Sequence, residues 1–161
     1  MEQQNELPIK IVLDTWYGNV SRADALFNTL TDEQLQGEVS PGRNTGTYLL
    51  GHLTAVHDRM LPLLGFGAQK YPQLDEVFIT SPDKSGKTMP PIADLRAYWK
   101  DTNETLATHF KAMQPGEWLN KHTSVSEEDF AKEPHRNRLN VLISRANHLS
   151  GHYGQLLFLK K

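Results

Sequence analysis

Apolar residues recur at spacings of three and four along four separate stretches of this chain, and a period of that kind leaves little room for anything but helices. The first stretch follows Pro8 and runs through Ile9, Val12, Trp16, Val20, Ala23, Phe27 and Leu30. Proline near a helix start suits the first turn, where its missing N–H would have had no partner. The second opens between Asn44 and Thr47 and carries Leu49, Leu53, Val56, Met60 and Leu63 or Leu64 to an exit at Gly65 and Gly67, with Pro62 placed to kink its last turn. The third runs from Pro91 through Ile92, Leu95, Trp99, Leu106, Phe110 and Met113 and stops at Pro115-Gly116; the fourth opens after Pro134 and continues to the chain end through Leu139, Leu142, Ala146, Leu149, Tyr153 and Leu156. Between the first two, Thr31-Asp32-Glu33-Gln34 reads as one capped turn. Four long helices with little strand signal between them predict an all-α chain, a four-helix bundle.

At 161 residues the chain has the length of one ordinary domain, so residues 1–161 are expected to form a single bundle with its own core. Residues 66–90, FGAQKYPQLDEVFITSPDKSGKTMP, break the pattern as a long connection between the second and third helices. Connections of that length are commonly functional. The alternative, a short strand or helical turn in Val77-Phe78-Ile79-Thr80 that merely covers the core, stands equally open.

What the core could hold is limited by what the chain lacks. It has no cysteine, which removes disulfides, thiolate ligands and a cysteine nucleophile together, so any metal must be held by His, Asp or Glu. The net charge of −2 and the absence of any Lys/Arg-rich run offer no field for a phosphate backbone, which argues against nucleic acid as a partner. The N-terminus carries acidic and polar residues where a secretory signal needs positive charge, and no segment approaches the roughly 20 apolar residues that cross a bilayer. The expected location is the cytoplasm, with no membrane partner.

Seven histidines remain as candidate ligands: His52, His57, His109, His122, His135, His148 and His152. His148 and His152 stand four apart in NHLSGHYGQLLFLKK and so share one helix face, at the edge of the apolar stripe. The spacing is a weak motif by itself. His52 strengthens it, because in GHLTAVH it lies beside Leu49, Leu53 and Val56, where an imidazole needs a partner. Taken singly, each of the three reads first as a hydrogen-bonded histidine at the core edge and only second as a ligand. Taken together, they fit the way bundle metal sites are built from facing helices. His57 is turned about 140° from His52 on the same helix and is read as outside the ligand set, either beside the site or a plain surface histidine. His109 is the substitute ligand, and His122 and His135 sit in polar, solvated surroundings.

At these residues the chain resembles the DinB/YfiT-like superfamily, whose four-helix bundles carry one histidine on the second helix and a His-x-x-x-His pair on the last. GHLTAVH and HLSGHYGQL are the matching segments, and the order and spacing of all four helices agree over nearly the whole chain. The resemblance implies His52, His148 and His152 as ligands of a divalent ion, zinc or nickel first and iron as a further candidate. It also implies a small-molecule substrate and a reaction like those of thiol-dependent isomerases and S-transferases that use mycothiol or bacillithiol, with a low-molecular-weight thiol as cosubstrate. A metal-dependent hydrolase and a non-catalytic metal-binding or homodimeric bundle protein are the alternatives. Gln155, one turn beyond His152, is read as a helix lock or a ligand contact; Arg43, Arg145 and Asn147 are candidate anchors for a substrate carboxylate; Asp58 reads as a solvated helix carboxylate, and no general base is identified.

Overall fold

The computed structural model describes residues 2–160, with side chains from Glu6 onward, and the described residues are helical with no strand beyond two isolated bridges, Glu38 with Thr45 and Lys121 with Asn137. α1 spans Glu2–Thr29. It begins well before Pro8, which therefore lies inside the helix and not in its first turn, at the cost of one backbone hydrogen bond. α2, Asp32–Gln36, is the capped turn read from the sequence, with Thr31 and Gln34 exchanging side-chain-to-backbone hydrogen bonds.

α3 spans Gly46–Asp58 and is capped by Thr45, whose hydroxyl accepts from the Tyr48 N–H. It stops at Arg59, and the short α4, Met60–Leu63, follows. Pro62 explains the break, because it has no N–H to give to the Asp58 carbonyl one turn earlier. Gly65 and Gly67 then leave the helix at φ of 81° and 111°, a region open to glycine at little cost.

The 66–90 connection contains a helical turn, α5, Leu74–Phe78, which buries Leu74 and Phe78 against α3. VFIT is thus a turn of helix with no strand. The connection is tied down by Asp58, whose carboxylate oxygens accept the N–H groups of Lys70 and Tyr71 at 2.9 Å and 2.8 Å. The expectation of a solvated Asp58 is therefore corrected: the side chain is fully buried, and two charge-assisted hydrogen bonds from loop backbone offset its desolvation.

α6 spans Ile92–Ala112, α7 is the short Glu127–Lys132 segment, and α8 spans Arg138–Leu156 with Asn137 as its cap. α1 packs along α8, α3 along α6, and α3 also touches α8. One apolar cluster joins Phe27, Leu49, Leu53, Phe78, Trp99, Leu149 and Leu156; the other joins Ile9, Trp16, Met60, Phe110, Trp118 and Leu142. Among the described residues, no helix is long and apolar enough to cross a membrane.

Candidate metal centre

α3 and α8 meet where each carries its histidines, and this packing brings His52, His148 and His152 together with one ring nitrogen of each within 4.8 Å of the others. His148 Nε2 lies 3.1 Å from His52 Nε2 and 3.1 Å from His152 Nε2. The outer nitrogens of two rings are held. His52 Nδ1–H donates to the Phe78 carbonyl at 2.7 Å, and His152 Nδ1–H donates to Gln155 Oε1 at 2.7 Å. A carbonyl can only accept, so both rings carry their proton on Nδ1 and direct an Nε2 lone pair inward.

His148 cannot resolve what it meets. Its Nδ1 is buried without a partner, and its Nε2 faces two lone pairs at once. With the proton on Nε2 it satisfies one neighbour well; with the proton on Nδ1 it leaves a buried donor unpaired and three lone pairs converging. A cation at the point of convergence removes the conflict. Two nitrogens each ~2.1 Å from a shared zinc ion at a tetrahedral angle stand roughly 3.4 Å apart, close to the separations here. The donor set therefore fits a divalent ion, with outer hydrogen bonds of the kind that orient metal-binding imidazoles.

The electrostatics agree. Burial, then the facing His152 and His52, and then Arg145 hold His148 down at about 4. Burial also lowers His52, against the opposing pull of its hydrogen bond to Phe78 and with help from His152 and Arg145. Both imidazoles stay neutral at physiological pH, the state a metal requires.

Phe78 reaches His52 because Gly51 gives way to it. A Cβ at Gly51 would overlap the Phe78 ring. Tyr48 completes the support: its ring stacks on His52 with centroids 6.0 Å apart, and its hydroxyl donates to the Ser81 carbonyl at 2.7 Å. Gly51→Ala is expected to push Phe78 off α3, release the His52 ring and weaken ion affinity on the order of 10- to 100-fold, with every imidazole still present. Isothermal titration with Zn²⁺ checks it, and unchanged affinity would remove Phe78 from the supporting shell.

A cleft of about 510 Å³ opens against His52 and His148, walled by Arg59, Arg145, Gln69, Ile79, Thr123 and Ser124. Gln69 and Ile79 belong to the 66–90 connection, which therefore both covers the core and lines the cleft. A larger groove of about 660 Å³ runs along α1 and α6 past Trp16 and Trp99, but no histidine lines it.

The other histidines lie apart. His57 is fully buried, against Trp16 and Trp99 at centroid distances of 4.8 Å and 5.0 Å, with Nδ1–H donating to Asn103 Oδ1 at 2.8 Å. The surface reading of His57 is corrected: it belongs to the core because Trp16 and Trp99 converge on that side of α3. His109 stacks on Phe66 with centroids 4.4 Å apart and is no substitute ligand. His135 is exposed, while His122 is half-buried and accepts from the Ser124 N–H at Nδ1. Of the candidate anchors, Arg145 lines the cleft; Arg43 and Asn147 are exposed and do not. Gln155 accepts from His152 Nδ1–H and so holds that ring, its partner being a residue of its own helix. The Phe78 carbonyl and Arg59 were missed by sequence reasoning. A backbone acceptor leaves no side-chain signature, and an arginine at a helix end resembles any solvated one.

The family model described as DinB superfamily matches residues 16–156, a span that includes all three converging histidines. No curated protein matches the chain.

Proposed function

The chain belongs to the DinB superfamily, and from that premise we propose that it is a metal-dependent enzyme whose three histidines, His52, His148 and His152, hold a divalent ion for a thiol-dependent, S-transferase-like reaction on a small molecule. The observation that carries this reading is the inward convergence of three Nε2 atoms beside an open cleft. Three protein ligands with space beside them are the mark of a catalytic site, since structural sites are closed. When bound, a divalent ion, zinc or nickel before iron, supplies Lewis acidity that lowers the pKa of a thiol or water and polarises a carbonyl.

The protein's own residues do the rest. Phe78 and Gln155 fix the tautomers of two rings, so the inward lone pairs are set before any ligand arrives. The residues lining the cleft include no carboxylate that could serve as a base. The chain also has no cysteine, so a sulfur nucleophile has to come from a cosubstrate, a low-molecular-weight thiol. The same reading takes residues 1–161 as one four-helix-bundle domain, working in the cytoplasm, with the 66–90 connection as a wall of its site.

Metal-loaded protein screened with small electrophiles in the presence and absence of several low-molecular-weight thiols tests this, beside a variant with His52, His148 and His152 all changed to alanine. Turnover that requires both a thiol and the histidines is expected. Turnover without thiol would replace transfer by metal-assisted hydrolysis, and no turnover by a metal-loaded protein would favour a non-catalytic role.

A further inference from the structure

Beside the histidine cluster, the cleft wall carries positive charge that nothing in the fold uses. Arg145 makes no salt bridge and no side-chain hydrogen bond among the described residues, and its Nε is buried without a partner. Arg59, which also lines the cleft, has one acidic neighbour, Asp75, at 3.6 Å, too far for a good hydrogen bond, and Asp75 already accepts from Gln69 at 3.2 Å. Burial and the neighbouring Arg59 charge both work against the Arg145 cation.

The arrangement has a regular basis in α8. Arg138, Arg145 and His152 are spaced by seven, so they fall on nearly one line along the helix, and His148 lies beside that line. Arg138 also lacks a salt bridge among the described residues; its Nε too is buried and unpartnered, and its guanidinium lies close to Gly65, near Thr123 of the cleft wall. Keeping unpaired guanidinium groups partly desolvated is unfavourable. Such a cost is understandable where the missing partner is a ligand. A planar guanidinium fork matches an oxyanion with two oxygens, and Ser124 adds a hydroxyl-bearing residue to the cleft lining, whereas the Thr123 hydroxyl is already given to the Pro62 and Leu63 carbonyls.

We propose that this cleft binds an oxyanion group, a carboxylate or a phosphate, of the small-molecule substrate, with Arg145 as its main anchor and Arg59 as a second positive charge in the same lining. A volume of about 510 Å³ admits a small organic acid and leaves its far end against His52 and His148. The inference deepens the enzymatic reading by naming the substrate class, yet the binding step depends on arginines and not on the ion.

The test uses the metal-free protein and follows the arginine Nε–H signals by ¹⁵N NMR, at constant ionic strength, during titration with succinate, inorganic phosphate and neutral succinamide. Saturable movement of the Arg145 signal with succinate or phosphate, and none with succinamide, is expected. Whichever anion acts identifies the group. Arg145→Gln should weaken binding on the order of tenfold or more, and Arg59→Gln less. No saturable movement with either anion, equal response to succinamide, or unchanged affinity in Arg145→Gln would each overturn the proposal. The metal reading would stand in any of those cases, since its test does not use these arginines.

Discussion

Changing His148 and His152 together to alanine is expected to reduce affinity for a divalent ion by at least about a thousandfold, leaving one imidazole where three converged. The fold should survive, because both side chains are only partly buried and neither belongs to the apolar clusters. Their removal also dissolves the conflict at His148 Nε2, so the metal-free variant should be no less stable than the metal-free wild type. The two proteins separate when metal is added. An ion at about a thousand times its Kd stabilises the wild type by about 4 kcal/mol through mass action, and the variant should gain almost nothing. Metal content and melting temperature with and without Zn²⁺ measure both effects. A variant that retains the wild-type metal content would locate the ion elsewhere.

His57 sets the second large effect, on stability at acid pH. Burial between Trp16 and Trp99, only partly opposed by the hydrogen bond to Asn103, pushes its pKa down to about 3. An unfolded chain would titrate this histidine near ~6.5. Between those values the unfolded state holds one proton more than the folded state, so stability rises with pH across the window. His57 therefore contributes stability that is complete above about pH 6.5 and is lost toward pH 3, at about 1.4 kcal/mol per pH unit in the middle of the range. His148, lowered to about 4 in the metal-free protein, acts in the same direction over a narrower window. Urea titrations of metal-free wild type and His57→Leu at several pH values between 4 and 6 isolate the His57 share. The variant's slope should be shallower by about one proton equivalent; equal slopes would mean that His57 is not held neutral by its surroundings.

The parts of this molecule that follow short-range rules could be read from the sequence. Thr45 falls within the expected start of α3, and Gly65 and Gly67 mark the exit beyond α4, because caps and positive-φ turns depend on a few neighbouring residues. The apolar stripes placed Leu49, Leu53, Trp99 and Leu149 in the core for the same reason. His148 and His152 share a helix face by geometry alone, His52 stood out as an imidazole beside Leu49, Leu53 and Val56, and the family resemblance joined the three into one ligand set. Features created by the meeting of distant segments were not legible. His57 and Asp58 look solvated from their helix, but Trp16 comes from α1, Trp99 from α6, and the Lys70 and Tyr71 amides from the connection. Helical phase cannot report what a neighbouring element brings. Pro8 shows the opposite limit: a local rule put the α1 start beside it, yet the helix begins at Glu2, several polar residues earlier.

The central claim is that His52, His148 and His152 bind one ion through their Nε2 atoms, and X-ray absorption spectroscopy of the zinc-loaded protein tests it most directly. One zinc per chain is expected, with three imidazole nitrogens at about 2.0–2.1 Å and at least one further, exchangeable oxygen ligand besides. Fewer than three imidazoles around the zinc, or a purified chain that binds no zinc at all at micromolar concentration, would contradict it.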